Sequence, residues 1–437
     1  MQAIRRFELG VRGVTPSIVF LSVLSTSYAQ GPIVATASHE WPQWRGPSRD
    51  STVHGGVEWP DSLGELTERW RVALGPGYSG PIVWGDRVFV TETENAEIEI
   101  VRALDRKTGA ELWRASWSGA INVPFFAKSN GDWIRSTPAC DGESLYVGGM
   151  RDVLVCLDVA SGAVRWRFDF PEKLGSPIPA FGFVSSPLIV GEFVYVQAGG
   201  AFVKLNKRTG ELVWKSAADK GGMDSAFSSP VLANFGGMNQ LLVQMRDELF
   251  GLHPDDGQIL WRQTVPAYRG MNILTPLVYE DGIFTSTYKN RTFFFRVAYQ
   301  DGAFSLHEAW SHSAQGYMSS PVLIEHHAYL HLGNGRLCCI DLRSGKETWR
   351  SKPFGKYWSM VAREKRILAL DESGELLLIE ANPHEFTLLD RRKASDQDCW
   401  AHVAVSRNEI VVRDLAGVTL FDWRNANTQD SKPSKKE

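Results

Sequence analysis

The residues most suited to binding a ligand are aromatic and stand just before a recurring Ser-Pro or Thr-Pro pair. Each pair opens a predicted strand, so the residues in front of it should gather at one end of a shared channel. Aromatic side chains with a few polar groups suit a flat ligand, a sugar or a peptide. The alternative interpretation is that these rings only plug the channel and pack the loops. The candidate residues of this channel mouth are Tyr78, Trp133, Arg135, Phe183, Phe227, Asn272, Tyr317, Tyr357, Trp358, Trp400 and His402.

The histidines and cysteines do not suggest a second site. His326 and His327 lie at the tip of a predicted hairpin that lacks further ligands, so we expect solvated side chains rather than a metal centre. Among the five cysteines, Cys156 and Cys339 take a small-residue position of a repeat and should be buried. Cys338 and Cys339 are neighbours in a predicted strand and must face opposite sides. The sequence therefore predicts no metal site and no disulfide framework, and it leaves catalytic residues unassigned.

A repeated hairpin must position the candidate residues. Its best copy, residues 103–113, reads Ala-Leu-Asp-Arg-Lys-Thr-Gly-Ala-Glu-Leu-Trp. The Asp can accept backbone N–H bonds from the turn, the Gly takes a left-handed conformation, and the Trp packs against a neighbouring unit. We assign these structural roles to Asp105, Gly109, Trp113, Asp158, Gly162, Trp166, Gly210, Trp214, Trp261, Asp341, Gly345 and Trp349.

The strand-opening pairs recur out of phase with this hairpin and set the length of the repeat. From Pro81 to Ala401, the strand-opening positions follow one another at intervals of 38 to 57 residues. Four short strands in such an interval are typical of a β-propeller blade. The last unit, 401–423, supplies only three strands, and an orphan strand around Trp70 supplies the fourth. The sequence predicts an all-β, eight-bladed propeller of four-stranded antiparallel blades, closed by this N-terminal strand.

Two segments lie outside the repeats. Residues 41–47, Trp-Pro-Gln-Trp-Arg-Gly-Pro, contain two prolines and a glycine that exclude a regular strand or helix, and we expect a clamp packed onto the body. Residues 117–135 form the largest insertion on the face of the predicted mouth, and loops on a rigid scaffold often carry function. Polar residues of this insertion are Asn122, Lys128, Asn130 and Asp132.

Composition and the N-terminus indicate an exported protein. The 437 residues are 43% hydrophobic, enough for a large core, and the net charge of −3 does not favour nucleic acid or an anionic membrane surface. Arginines at 5, 6 and 12, an apolar run over 14–24 and small residues before Gln30 predict a cleaved signal peptide. The alternative is a short buried or anchoring helix, and no later run is long enough to span a bilayer. We predict a signal peptide at 1–29, a lead and clamp at 30–65, the propeller at 66–425 and a disordered tail at 426–437.

The repeat resembles that of the pyrroloquinoline-quinone (PQQ) repeat family. Residues 103–113 match in full a pattern similar to that family's tryptophan-docking motif, and the resemblance extends over residues 41–425. The opening Trp-Pro-Gln-Trp-Arg-Gly-Pro-Ser-Arg-Asp of residues 41–50 also resembles the start of exported bacterial members. The resemblance implies one of two classes. Quinoprotein dehydrogenases bind PQQ, usually with calcium, and oxidise alcohols or sugars. Non-enzymatic propellers include the lipoprotein scaffold of the outer-membrane barrel-assembly machine, which binds partner proteins and no cofactor.

Departures from the dehydrogenase pattern favour the second class. Those enzymes are typically longer, and many carry adjacent cysteines in a loop above the quinone, whereas Cys338 and Cys339 lie in a predicted strand. No convincing calcium-binding group of Glu, Asn and Asp precedes the strands. We therefore predict a monomeric, periplasmic or secreted, non-catalytic binding or scaffold protein with a protein or small-molecule ligand at the channel mouth. The alternative is a dehydrogenase that uses PQQ with calcium.

Overall fold

Every described strand belongs to one of eight four-stranded antiparallel sheets. The structure is a computed structural model, and it describes residues 40–54, 59–218 and 227–423. The predicted signal peptide and the C-terminal tail lie outside these residues. Each sheet is one blade, and the eight blades form a β-propeller, as predicted. We number the blades in chain order and the strands of each blade from the inside outward.

The blades follow the chain without crossovers, except for the last. The strands of blades 1 to 4 are β2 (Ile82–Trp84), β3 (Arg87–Glu94), β4 (Ile98–Asp105), β5 (Glu111–Ser118); β6 (Ala139–Cys140), β7 (Ser144–Gly149), β8 (Val153–Asp158), β9 (Val164–Asp169); β10 (Leu188–Val190), β11 (Phe193–Ala198), β12 (Ala201–Asn206), β13 (Leu212–Ser216); and β14 (Val231–Phe235), β15 (Met238–Gln244), β16 (Glu248–Leu252), β17 (Ile259–Thr264). Those of blades 5 to 8 are β18 (Leu277–Tyr279), β19 (Gly282–Ser286), β20 (Thr292–Gln300), β21 (Ala303–His312); β22 (Val322–Ile324), β23 (His327–His331), β24 (Arg336–Asp341), β25 (Glu347–Pro353); β26 (Trp358–Arg363), β27 (Arg366–Asp371), β28 (Glu375–Glu380), β29 (Thr387–Lys393); and β30 (Ala404–Ser406), β31 (Glu409–Asp414), β32 (Gly417–Asp422), β1 (Thr67–Ala73).

Among the described residues, helical structure occurs only in connections between blades. The short helix α1 (Phe170–Leu174) follows β9, and Asp169 caps it by accepting a hydrogen bond from the backbone N–H of Glu172. Two 3-10 turns, Phe125–Asn130 and Tyr268–Gly270, lie in the connections that precede blades 2 and 5. No helix among the described residues has the length and apolar character that crossing a membrane requires.

Strand β1 closes the ring by pairing antiparallel with β32, so the first described strand completes the last blade. Trp70 lies opposite Leu420 in this pairing, and a bulge between Glu68 and Trp70 adjusts the register. Without β1, strand β32 would form an unpaired outer edge of blade 8. Pairing first with last removes that edge, which explains why an orphan strand precedes the first complete blade.

The repeated turn has the geometry that its residues predict. The Oδ1 atom of Asp105 accepts hydrogen bonds from the backbone N–H groups of Lys107 and Thr108, at 3.1 and 2.8 Å. Gly109 has a φ of +76°, in the left-handed region that glycine adopts without steric cost. Asp158 and Asp341 bind their own turns in the same way.

Five of the turn glycines each make room for a tryptophan of the preceding blade. A Cβ atom added at these glycines would lie between 2.5 and 2.9 Å from the indole ring, so only glycine allows the contact. Each indole N–H also donates to a backbone carbonyl of the same turn or its flank, for example Trp113 to Val159 at 2.9 Å. The pairs are Trp70 with Gly109, Trp113 with Gly162, Trp166 with Gly210, Trp214 with Gly257 and Trp310 with Gly345.

Trp261 departs from this pattern. Its indole N–H donates to Gln240 of its own blade at 2.6 Å, and no side chain lies near Gly302, the turn glycine of blade 5. The reason is the long outer hairpin of blade 5, whose strands β20 and β21 extend past Trp261, so that Tyr299 beside the turn lies near Gly236 of blade 4 instead. Trp261 is still buried, in a cluster with Ile283 and Phe295 of blade 5.

The Ser-Pro and Thr-Pro pairs tie the inner strands of neighbouring blades together. The hydroxyl of Ser186 accepts a hydrogen bond from the backbone N–H of Thr137, one blade earlier, at 3.2 Å. Ser186 in turn donates its own N–H to the hydroxyl of Ser229 at 3.0 Å, and Thr275 to Ser320 at 3.2 Å. The recurring hydroxyl is therefore explained by blade-to-blade hydrogen bonding around the channel.

Candidate functional site

One face of the propeller carries all the connections from an outer strand to the next inner strand. The hairpins between second and third strands lie on the same face, as shown by the backbone hydrogen bond from Glu372 to Tyr357 at 2.9 Å. We call this the mouth face. The eight inter-blade connections place aromatic or charged side chains around the channel opening, because each connection must cross from the rim of one blade to the centre of the next.

Six aromatic rings form a continuous arc on the mouth face. They come from four inter-blade connections, the insertion before blade 2 and one hairpin of blade 5. Each ring contacts the next at a distance typical of stacked or edge-on aromatic pairs. The centroid distances are 5.3 Å for Trp133–Tyr78, 4.9 Å for Tyr78–Trp400, 4.2 Å for Trp400–Tyr357, 5.6 Å for Tyr357–Tyr317 and 4.5 Å for Tyr317–Tyr288.

A second group of rings extends the arc around the opening and includes the most exposed aromatic side chains of the mouth face. Tyr268 contacts Tyr288 at 6.1 Å, and Phe126 contacts Phe181, which contacts Phe227 at 5.5 Å. Phe125 is 86% exposed, Phe126 57% and Tyr268 47%. Large rings of this kind are normally buried, so an exposed cluster marks an interaction surface.

Cationic side chains accompany the exposed rings. Arg269 lies 5.6 Å from the ring of Phe126 and 5.4 Å from that of Tyr268, and Lys289 lies 4.6 Å from the ring of Tyr268. Arg135 lies 5.7 Å from the ring of Tyr78 in the arc. Cations over aromatic faces hold the rings in place and leave positive charge at the rim, which favours an acidic partner.

The phenols of Tyr78, Tyr317 and Tyr357 in the arc are neutral at ordinary pH. Burial raises the pKa of Tyr78 to about 12, although the nearby Arg135 opposes the shift. Burial also raises the pKa of Tyr317 and of Tyr357 above the usual value for a phenol. These side chains therefore act as hydrogen-bonding aromatic surfaces and not as bases.

Four residues that the sequence placed at the mouth are buried instead. Phe183 packs in the core between blades 2 and 3, and Asn272 is 1% exposed and donates to the carbonyls of Arg246 and Val265. The two others also serve the interior: Trp358 donates to Asp371 at 2.9 Å, and His402 lies in the channel.

Sequence reasoning missed five members of the aromatic surface. Tyr288 lies in a hairpin between second and third strands, a position that the strand-opening pairs do not mark. Tyr268 and Phe181 stand several residues before the strand-opening pair, while Phe125 and Phe126 lie within the 117–135 insertion. The clustered aromatic residues of that insertion could have indicated this surface from the sequence. Its polar Asp132 instead accepts a hydrogen bond from the backbone N–H of Val123 at 3.1 Å and shapes the loop, and the side chain of Asn130 lies outside the description.

The channel beneath the mouth contains residues 41–53, which we call the channel segment. Trp41 forms a β-bridge with Val83 of blade 1, and Val53 donates its N–H to Ala362 of blade 7 at 2.8 Å. Between these ends the segment also bonds residues in or just before the inner strands of other blades. The contacts are Pro42 with Cys140, Arg49 with Pro187, Trp44 with Thr275, Arg45 with Pro321 and Ser51 with His402. The expected clamp therefore contacts seven of the eight blades from within.

Comparison with known proteins places the chain in a family. A family model described as outer membrane protein assembly factor BamB matches residues 97–351, more than half of the chain. The chain belongs to this PQQ-repeat β-propeller family. BamB of Yersinia pestis is 20% identical over 323 residues, which are 72% of this chain and 68% of that protein. The serine/threonine-protein kinase AfsK of Streptomyces griseus is 31% identical over 182 residues, 40% of this chain but only 20% of the kinase.

Solved structures include both classes of the PQQ-repeat family. BamB from Moraxella catarrhalis superposes with a TM-score of 0.61 at 15% identity, over 83% of this chain and 99% of that one. The quinohemoprotein alcohol dehydrogenase ADHIIG from Pseudomonas putida HK5 gives 0.63 at 13% identity, over 91% of this chain and 82% of that one. At these identities the similarity shows the shared fold alone.

The described residues of this PQQ-repeat propeller do not provide a set of carboxylates that could hold calcium beside a PQQ. Among the described residues, no three His, Cys, Asp or Glu side chains come together in a way that could hold a metal ion. Cys338 and Cys339 are free thiols in β24 that belong to different hydrophobic clusters, Cys338 with Leu330 and Cys339 with Met360. The channel itself is taken up by the channel segment.

A smaller pocket opens beside the aromatic arc of the PQQ-repeat propeller. It has a volume of about 440 Å³ and lies between blades 5 and 6. The stacked pair Tyr288 and Tyr317 forms one wall, with Lys289, Asn334 and Arg350 around it. A pocket of this size accepts one large side chain or a small molecule.

Proposed function

We propose that this protein is a non-catalytic scaffold of the cell envelope that binds a protein partner on its mouth face. The observation that carries this proposal is the exposed aromatic surface around Phe125, Phe126 and Tyr268, which lies above a channel that the chain itself occupies. Exposed rings with a cationic rim are typical of protein interfaces, where aromatic and arginine side chains supply most of the binding energy. The partner surface should be apolar and acidic.

Three further observations support the binding of a protein rather than catalysis. Burial keeps Tyr78, Tyr317 and Tyr357 neutral, and no set of donors among the described residues fits calcium beside a PQQ. The relatives described as outer membrane protein assembly factors support a place among envelope proteins. The pocket between blades 5 and 6 offers a site for a protruding side chain of the partner. We further propose that the protein is exported by cleavage before Gln30 and is monomeric.

Site-specific photocrosslinking in the native host tests the proposed interface. A photoreactive amino acid at Phe126 should give a discrete crosslinked product, and the double variant Phe125→Ser/Phe126→Ser should weaken the association of the purified partner by about tenfold or more. Leu112 is the matched control, since it is an exposed apolar residue, 44% accessible, on outer strand β5. Equal products at both positions, or none at Phe126, would count against the mouth face.

Cofactor binding is tested separately. Purified protein is incubated with PQQ and calcium, desalted, and assayed for retained quinone absorbance and for dye-linked oxidation of alcohols and sugars. The scaffold proposal expects neither retention nor turnover. Retained quinone with turnover would instead establish a dehydrogenase.

A further inference from the structure

Two arginines of the channel segment lie completely inside the propeller. Arg45 is 0% exposed and Arg49 is 2% exposed. Arg45 donates to the Ser51 hydroxyl at 2.8 Å, to the Asp50 carbonyl at 3.0 Å and to the carbonyl of Pro321. Arg49 donates to the Gln43 side chain at 3.2 Å, and to the carbonyls of Pro187 and Ser186 at 2.7 and 3.0 Å. All these acceptors are uncharged.

These hydrogen bonds do not use all the donors of the two guanidinium groups. Among the contacts within the described ranges, Nη1 of Arg45 and Nε of Arg49 are buried without a hydrogen-bond acceptor. A guanidinium carries more N–H groups than the bonds above require, and a buried N–H without an acceptor is costly. The unused donors belong to two different residues of one short segment.

The positive charge of this pair is incompletely balanced. Arg45 and Arg49 are close enough for the charge of one to lower the pKa of the other, yet burial leaves both values, about 10 and about 9, well above neutral pH. Asp50 acts on Arg45, but its Oδ1 accepts the backbone N–H of Thr52 rather than a guanidinium N–H. His402 beside them is kept neutral, because burial lowers its pKa to about 3.

Another buried arginine shows how a buried positive charge is usually balanced. Arg106, 8% exposed, donates to the carboxylate of Glu409 at 2.5 Å and lies 3.3 Å from that of Glu40. Buried charges in proteins are normally paired in this way, because an isolated ion loses its hydration without compensation. Among the described residues, no carboxylate makes such a bond to Arg45 or Arg49, which leaves their positive charge for another anion to balance.

We propose that the channel binds a small inorganic anion, of the phosphate, sulfate or halide class, between Arg45 and Arg49. Guanidinium N–H groups form short, charge-assisted bonds with such ions, and the surrounding neutral walls exclude competing water. Because both arginines are fully enclosed, the ion is expected to be a free solute and not a carboxylate of a bound protein. The bound ion would fix the channel segment and so stiffen the whole ring.

Anion-dependent stability tests this proposal. The purified protein is exchanged into a buffer whose only anion is the bulky gluconate, and sulfate, phosphate or bromide is then titrated at constant ionic strength. Above its Kd, a ligand that binds only the folded state raises Tm further with every tenfold increase in the ligand concentration. We expect this rise for the wild type and its loss in Arg49→Gln. In a crystal grown with bromide, an anomalous peak should lie within hydrogen-bond distance of Arg45 and Arg49.

Arg106→Gln is the matched control. It removes a buried arginine that already has a carboxylate partner, so it should lower Tm but keep the anion-dependent rise. If Arg49→Gln does not fold, native mass spectrometry of the wild type decides the matter, because one retained anion per chain is expected. Equal anion dependence in all three proteins, no dependence in the wild type, or water rather than bromide in the channel would overturn the proposal. Displacement of the ion by a partner carboxylate would also overturn it.

Discussion

Replacing Gly162 with alanine should separate the contribution of tryptophan docking from that of the turn itself. Gly162 has a φ of +72°, and a Cβ atom there would lie 2.5 Å from Cε3 of Trp113. Gly302 occupies the corresponding turn of blade 5 with a φ of +80°, but no atom lies within 4 Å of its added Cβ. The same substitution at both positions therefore differs mainly in the indole contact.

The expected magnitudes follow from these two environments. Alanine in the left-handed region costs about 1–2 kcal/mol at either position. At Gly162 the methyl group must also displace an indole that is fixed on its far side by the 2.9 Å bond to Val159 and by contact with Phe89. Overpacking of this kind costs about 1–3 kcal/mol. We expect Gly162→Ala to be less stable than Gly302→Ala by roughly that second amount.

Urea unfolding, followed by tryptophan fluorescence and far-ultraviolet circular dichroism, measures the two free energies of unfolding. The variant Trp113→Ala and the double variant Trp113→Ala/Gly162→Ala complete a mutant cycle. Without the indole, the cost of Gly162→Ala should fall to that of Gly302→Ala. Equal losses for the two single variants, or an unchanged cost after removal of the indole, would refute the docking explanation.

Three further predictions concern pH and processing. Burial lowers the pKa of His402 to about 3, so its contribution to stability should be lost as pH falls from about 6.5 to about 3, and urea midpoints of His402→Gln should lack this part of the pH dependence. Glu99 behaves oppositely, because burial raises its pKa to about 7. Its favourable contribution to stability should be lost as pH rises from about 4.5 through about 7, and Glu99→Gln should flatten this part of the curve of stability against pH. Parallel pH profiles of wild type and variant would contradict either assignment. N-terminal sequencing of the exported protein should start near Gln30, and a start at Met1 would disprove cleavage.

The blades could be predicted because their information is local. The Asp, Gly and Trp of one hairpin lie within eleven residues, as in 103–113, and each has a single structural task. The closure by β1 was also predictable, since an eighth unit with three strands and an unpaired strand around Trp70 leave one arrangement without open edges. The departure of Trp261 required knowledge of how far the long hairpin of blade 5 extends, which no local pattern gives.

The mouth could be predicted only in part, because a loop's position does not determine where its side chains point. Phe183 and Trp400 both precede an inner strand, yet Phe183 turns into the core. It does so because Gly148, on another blade, leaves space: a Cβ there would lie 2.4 Å from the phenyl ring. Such complementarity between distant residues has no signature in one sequence, whereas Trp400 finds its stacking partners within the connections themselves.

The structure of the channel segment was even harder to predict from the sequence than that of the mouth, and the position of this segment bears on function. Its side-chain partners are up to 351 residues away in the sequence. Its prolines and glycine indicate only that the segment is neither a regular strand nor a helix. Because the segment bonds residues in or just before the inner strands of seven blades, it fills much of the channel and joins the folded core. The proposed protein partner would then meet an outer surface, and among the described residues the mouth face has exposed rings and cations that it would recognise.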